Sequence, residues 1–166
     1  MFYRIRQLFK ALFPRIRPQE LSWAHSLLSD SAWRLFQKQS QPEQRHALDV
    51  AQELSGLSGR FTPQQTRTLL VAALLHDCGK SRVHVKLRHR ILAVLLSPWP
   101  VFLKERFASH SPTTALALDI HKEHARWGRD LAAQAGLSEA ILTLILEHHD
   151  PKEALGKLLK QADSRH

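Results

Sequence analysis

Residues 68–75 read Thr-Leu-Leu-Val-Ala-Ala-Leu-Leu and leave no polar face on either a helix or a strand. Length and context decide between the two. The run is entered through Thr62, Pro63 and Gln65, a capping box with proline at the first helical position. That spacing predicts a helix over 63–77, apolar on nearly every side after Thr68. Such a helix belongs at the buried centre of its domain. It ends on His76 and Asp77, so it carries an imidazole and a carboxylate into the interior or onto the floor of a cleft. A buried charge without a partner is costly, and a metal ion would satisfy both groups at once. Gly79 stands where this helix is expected to stop and turn Lys80 toward the same cleft.

The rest of the chain must enclose that helix, and its pattern is helical too. Helices are expected near 2–13, 19–28, 31–38, 42–55, 84–97, 100–107, 112–119, 122–135, 138–149 and 151–163. Ser40 with Glu43 forms a second capping box, Ser111–Pro112 starts a later helix, and Asp150, Pro151 and Glu153 start the last. Gly136 marks another helix end. No run alternates cleanly enough for a strand, and no repeat or low-complexity linker stands out. The expectation is an all-α chain whose 166 residues are enough for one domain with a real core.

The net charge of +9 points to an anionic partner: a phosphorylated small molecule, a nucleic acid or a membrane surface. A single cysteine, Cys78, excludes an internal disulfide and a Cys-rich zinc site, and fits a reducing cytoplasm. Cys78 reads as a small residue at a helix end. No span of roughly 20 apolar residues is present; the longest candidate outside the central helix is broken by Pro98 and Pro100. The segment 1–18 alternates apolar and basic residues without a signal-peptide core. Weak peripheral contact with an anionic membrane through 1–18 is compatible with it.

Eleven histidines are the unusual number. His46 sits among Leu48, Val50 and Ala51 on one expected helix. His124 has Gly128 four residues on, hence on the same face, where another backbone can approach. His148 and His149 end a further helix, and Asp163 ends the last. Alone, each has an ordinary structural reading. With "LLHDCGK" at 74–80 the set resembles the HD-domain superfamily of metal-dependent phosphohydrolases, over about 40 to 163.

That resemblance implies a compact HD-domain-like helical bundle at 40–166, with residues 1–39 as additional N-terminal helices packed on it. It also implies roles. His46, His76, Asp77 and Asp163 match the ligands of a first metal ion. His124, His148 and His149 match those of a second, as in two-metal members, where the residue matching Asp77 bridges the ions. Lys80 matches a lysine that contacts the substrate phosphate in relatives. Members that cleave cyclic di-GMP carry Gly-Tyr-Pro after the paired histidines; this chain reads "HHDPKEALGK" and departs from them there. Their extra glutamate ligand has no clear match, since Glu43 already completes a cap, so a third ion is not supported.

Imidazole with carboxylate suits divalent Mn, Fe, Co, Ni or Zn better than an all-oxygen magnesium site. Two such ions, roughly 3.5–4 Å apart, generate hydroxide near neutral pH and neutralise phosphoryl oxygens. The expected reaction is hydrolysis of a phosphoester of a nucleotide or related phosphorylated small molecule. Asp77 and Lys80 would be the catalytic residues, with Lys80, Lys86 and Arg90 binding substrate; Lys86 and Arg90 share a helix face in the basic stretch after the motif. Two alternatives keep the sequence but change the function: a di-iron oxygenase of the same fold, and a non-catalytic regulatory or nucleic-acid-binding module.

Overall fold

The structure, a computed structural model, describes residues 15–83 and 112–166. Its helices are α1 (Pro18–Leu27), α2 (Asp30–Lys38), α3 (Gln41–Ser55), α4 (Pro63–Leu75), α5 (Pro112–Gln134), α6 (Glu139–Leu146) and α7 (Ala154–Asp163). A 3-10 turn covers Ser58–Arg60 and another Cys78–Arg82. There is no strand among the described residues, and the chain is all-α. The helices expected near 2–13, 84–97 and 100–107 lie outside the described residues.

Helix α4 is the centre. Every residue from Thr68 to Leu75 is buried, and α3 and α6 pack most extensively against it, with α1, α2 and α7 completing the shell. Both capping boxes form. Ser40 donates from its backbone N and from Oγ to Oε2 of Glu43, each at 2.9 Å. The Thr62 backbone N donates to Oε1 of Gln65 at 3.1 Å, and the Gln65 N donates back to Thr62 Oγ1 at 3.2 Å. The first helices join the same core through Ala24, Leu28, Ala32, Leu35 and Phe36, and Ser31 Oγ donates to the Ala135 carbonyl at the far end of α5.

Four local expectations are corrected. Helix α4 stops at Leu75, not at 77, and Gly79 does not stop it. The closing carbonyls are taken by side chains: His76 Nδ1 donates to the Ala73 carbonyl at 2.9 Å, and Gln39 Nε2 to that of Leu74 at 3.0 Å. The chain then tightens into the 3-10 turn that contains Gly79. Second, the segments expected at 112–119 and 122–135 form one helix, α5; no proline or glycine lies between them to break it. Third, Asp150 does not start the last helix. Its backbone N closes a turn on Glu147, and α7 begins only at Ala154, after Glu153. Pro151 instead packs over Gly156, where an added Cβ would lie 2.7 Å from the proline Cβ. Fourth, α6 ends at Leu146, so His148 and His149 sit in the turn beyond it.

Gly136 does end α5. It has φ +76°, and its N–H bonds the Ala133 carbonyl while that of Leu137 bonds Ala132. This paired closure satisfies the last carbonyls of a helix and favours glycine at the left-handed position.

Candidate metal centre

Asp77 lies between two groups of donor atoms, one from each half of the fold. On the first side stand His46 from α3, His76 at the end of α4, and Asp163, the last residue of α7. His46 Nε2 is 2.8 Å from Asp163 Oδ1, and His76 Nε2 is 3.5 Å from the same oxygen. His76 Nε2 is 3.7 Å from Asp77 Oδ2. The tail beyond α7 closes onto α3 beside them: Arg165 Nη1 and His166 Nε2 lie 2.6 and 2.9 Å from the carboxylate of Glu53.

On the second side, Asp77 Oδ1 is 3.4 Å from His124 Nε2. His124 Nε2 is 3.3 Å from His148 Nε2 and 2.9 Å from His149 Nε2. His124 comes from α5 and the paired histidines from the turn after α6. The seven residues expected as metal ligands are therefore brought together, in the two groups expected, with Asp77 facing both.

The tautomers follow from the backbone. The Nδ1 atoms of His76, His124 and His148 lie 2.9, 2.8 and 2.7 Å from the carbonyls of Ala73, Ile120 and Ile145. A carbonyl only accepts, so each Nδ1 carries the proton, and in the neutral ring each Nε2 presents a lone pair. Burial, with Lys80 nearby, lowers His124 to about 4; burial, with His76 and His149, lowers His148 to about 3. Both rings are neutral at pH 7, so two lone pairs face each other across 3.3 Å. A cation between them would relieve that contact. His76 Nε2 is likewise buried without a hydrogen-bond partner.

The donor separations of 2.8–3.7 Å match those of atoms sharing one ion at bonds of about 2.0–2.2 Å. Imidazoles whose far nitrogen is held by a backbone carbonyl are oriented as metal ligands are. The residues present fit divalent transition metals. Cys78 does not join them: its Sγ faces the Gly128 carbonyl at 3.7 Å, and burial pushes the thiol up to about 12.

The charges are set by mutual pairing. Burial alone would raise Asp77, but Lys80 and the surrounding histidines hold it well below the usual carboxylate range. Asp163 is likewise lowered against its burial, by His46 and His76. Burial opposes protonation of His76, yet Asp77 and Asp163 outweigh it and raise its pKa. Lys80 Nζ sits 2.6 Å from Asp77 Oδ2 and is raised by that contact despite desolvation.

These shifts give a pH dependence with a definite sign. Unfolding returns His124 and His148 to about 6.5. Below that value the unfolded chain binds more protons, so stability is lost as pH falls toward 4 and 3. The cost is on the order of 3 kcal/mol for His124 alone. Asp77 and Asp163 add to the loss at still lower pH. His76 acts oppositely, its contribution fading as pH rises through its raised pKa. Thermal unfolding in chelator should therefore be most resistant near neutrality and fall steeply from pH 6.5 to 4.5. A flat profile over that range would contradict these environments.

Two neighbours carry no role in the sequence-based assignment. His121 is exposed one helical turn before His124, with its ring 6.1 Å from that of His124 and 5.7 Å from that of His149. Its i, i+3 spacing to His124 was the available signal. Glu43, read only as a cap, is buried one turn before His46, and its charge reaches Lys80. Lys86 and Arg90 lie outside the described residues.

Compared with protein families, the chain matches the model of the HD domain over residues 44–166. No curated protein and no solved structure matches it.

Proposed function

The chain belongs to the HD-domain family, and on that premise we propose that it is a metal-dependent phosphohydrolase acting on a phosphoester of a nucleotide or related phosphorylated small molecule. The observation that carries this reading is the Asp77 carboxylate, whose Oδ2 faces His76 at 3.7 Å and whose Oδ1 faces His124 at 3.4 Å. One buried carboxylate addressing two imidazole groups is the arrangement of a bridging ligand.

His46, His76, Asp163 and Asp77 Oδ2 would hold one divalent ion; Asp77 Oδ1, His124, His148 and His149 would hold the other. When bound, such a pair supplies Lewis acidity and a hydroxide nucleophile at neutral pH. The chain's own part is to keep the donors rigid. The backbone carbonyls of Ala73, Ile120 and Ile145 fix three imidazoles, and the buried end of α4 fixes Asp77. Lys80 Nζ, 2.6 Å from Asp77 Oδ2, is the positive charge at the bridge and would meet the phosphoryl oxygens. The net charge of +9 favours an anionic substrate, and Lys86 and Arg90 extend the proposed substrate contacts. Among the described residues no helix is long and apolar enough to cross a membrane; a cytoplasmic site of action is part of the proposal.

The test is a screen of phosphomonoesters, dinucleotides and cyclic nucleotides with Mn, Fe, Co, Ni, Zn and Mg supplied in turn, alongside elemental analysis. The expected result is turnover with a transition ion and two ions per chain. His124→Ala should lose one ion and most of the turnover. Absence of turnover with every phosphoester and ion would overturn the proposal, and oxygen consumption by an iron-loaded chain would move it to oxidative chemistry.

A further inference from the structure

Lys80 and the first group of metal donors address the same atom. The Lys80 ammonium is 2.6 Å from Asp77 Oδ2, the oxygen turned toward His76. Asp77 has no second oxygen to spare, because Oδ1 faces His124 at 3.4 Å. Nor can its side chain, 6% exposed, swing aside to separate two cations. Lys80 can move: its side chain is 29% exposed and carries the ammonium on a flexible four-carbon stem.

From this we infer that Lys80 competes with the first metal ion for Asp77 Oδ2, and that loading of the ion displaces the ammonium into the mouth of the site, where it takes up the phosphoryl anion. Metal and anion binding are then coupled through one side chain: without the ion, Asp77 retains Lys80; with it, Lys80 is released to the substrate. The inference rests on the metal-binding reading of the site but needs no turnover to be tested.

The experiment measures Mn2+ binding to the full chain by titration calorimetry, with no substrate present. Lys80→Met should bind Mn2+ about tenfold more tightly than the parent, since a competing cation is gone. Lys80→Arg, which keeps the charge, should stay near the parent. Arg82→Met removes a nearby cation whose guanidinium lies over the Trp127 ring, 5.7 Å from its centroid; it should change affinity less than about twofold.

Inorganic phosphate is the second probe. The parent should bind it more tightly with Mn2+ than without, and Lys80→Met should lose that gain. Unchanged or weaker Mn2+ binding in Lys80→Met would overturn the inference. So would an equal rise in Arg82→Met, which indicates a diffuse field effect, or a phosphate gain that survives in Lys80→Met. If Lys80→Met unfolds in chelator, recovery of the fold on adding Mn2+ supports the competition, and failure to recover opposes it. Mn2+ binding with these shifts but no phosphoester turnover would sink the proposed hydrolysis and leave this coupling standing. No Mn2+ binding in any variant or the parent would sink both.

Discussion

Asp77→Asn should remove at least one of the two proposed ions and lower kcat/KM of the proposed hydrolysis by about a thousandfold or more. The substitution keeps the side-chain volume, so the core around α4 is undisturbed. It removes the charge and turns one oxygen into an NH2 group. Whichever way the amide faces, one group of imidazoles meets N–H donors where it had a carboxylate oxygen: His76 at 3.7 Å on one side, His124 at 3.4 Å on the other. An N–H cannot ligate a cation, so that ion is lost. Lys80 loses its partner too, but its partial exposure lets the ammonium reach water, which keeps the cost to folding small. Elemental analysis, circular dichroism and steady-state kinetics on the same preparation separate these effects. His25→Ala is the control, since His25 is exposed and packs on Trp33. Two ions retained, with turnover within tenfold of the parent, would show that Asp77 is not the bridge.

Asp77 was readable because the local pattern and the buried position agree: a helix with no polar face has to deliver its polar end somewhere sheltered. His124 stood out through its spacing to Gly128, and His148 with His149 through their place after an apolar helix, though the family resemblance gave all three their ligand role. Asp163 is different. As the last residue of an amphipathic helix it looks like a surface carboxylate, and only the family resemblance marked it. What brings it to His46 is the packing of α7 on α3, a contact between residues 117 positions apart.

The misread features share that cause. The end of α4 is set partly by Gln39, which reaches the Leu74 carbonyl from 35 residues upstream. No window around 75–79 contains that information. Asp150 and Pro151 carry the chemistry of a helix start, but Pro151 is engaged with Gly156 and the helix waits three more residues. His121 went without a role because it falls between the segments expected at 112–119 and 122–135; the single helix α5 puts it one turn before His124, and the turn after α6 brings His149 alongside.

Gly79→Ala should be the most damaging of the glycine-to-alanine changes among the described residues. A Cβ at position 79 would lie 1.9 Å from the His124 carbonyl oxygen, 2.5 Å from the Gly128 N and 2.9 Å from the His124 carbonyl carbon. All three are backbone atoms of α5, so no rotamer change makes room. The contact between α5 and the 78–82 turn is the most extensive between any two elements described. Relief requires α5 to move away as a body, and α5 carries His124. The methyl group therefore acts twice. It opens the core where Cys78 and Ile145 pack against Gly128, and it draws His124 away from Asp77, His148 and His149.

The expected destabilisation is about 4 kcal/mol or more, the range reached when overpacking leaves no cheap relaxation. For a chain of this size that corresponds to a fall in Tm of about 10 °C or more. Gly128→Ala supplies the contrast across the same contact. Its Cβ would meet Ile145 Cγ2 at 3.1 Å and the Gly79 N at 3.3 Å. The first is a side-chain methyl that can shift, so a loss of about 1–2 kcal/mol is expected there. Thermal unfolding in chelator reads the packing, and elemental analysis reads the site. Gly79→Ala should fail both, losing the second proposed ion even where the protein can be kept folded at low temperature. A Gly79→Ala protein that melts within a few degrees of the parent and still binds two ions would mean that α5 does not depend on this glycine. His124 would then owe its position to the Ile120 carbonyl and the paired histidines instead.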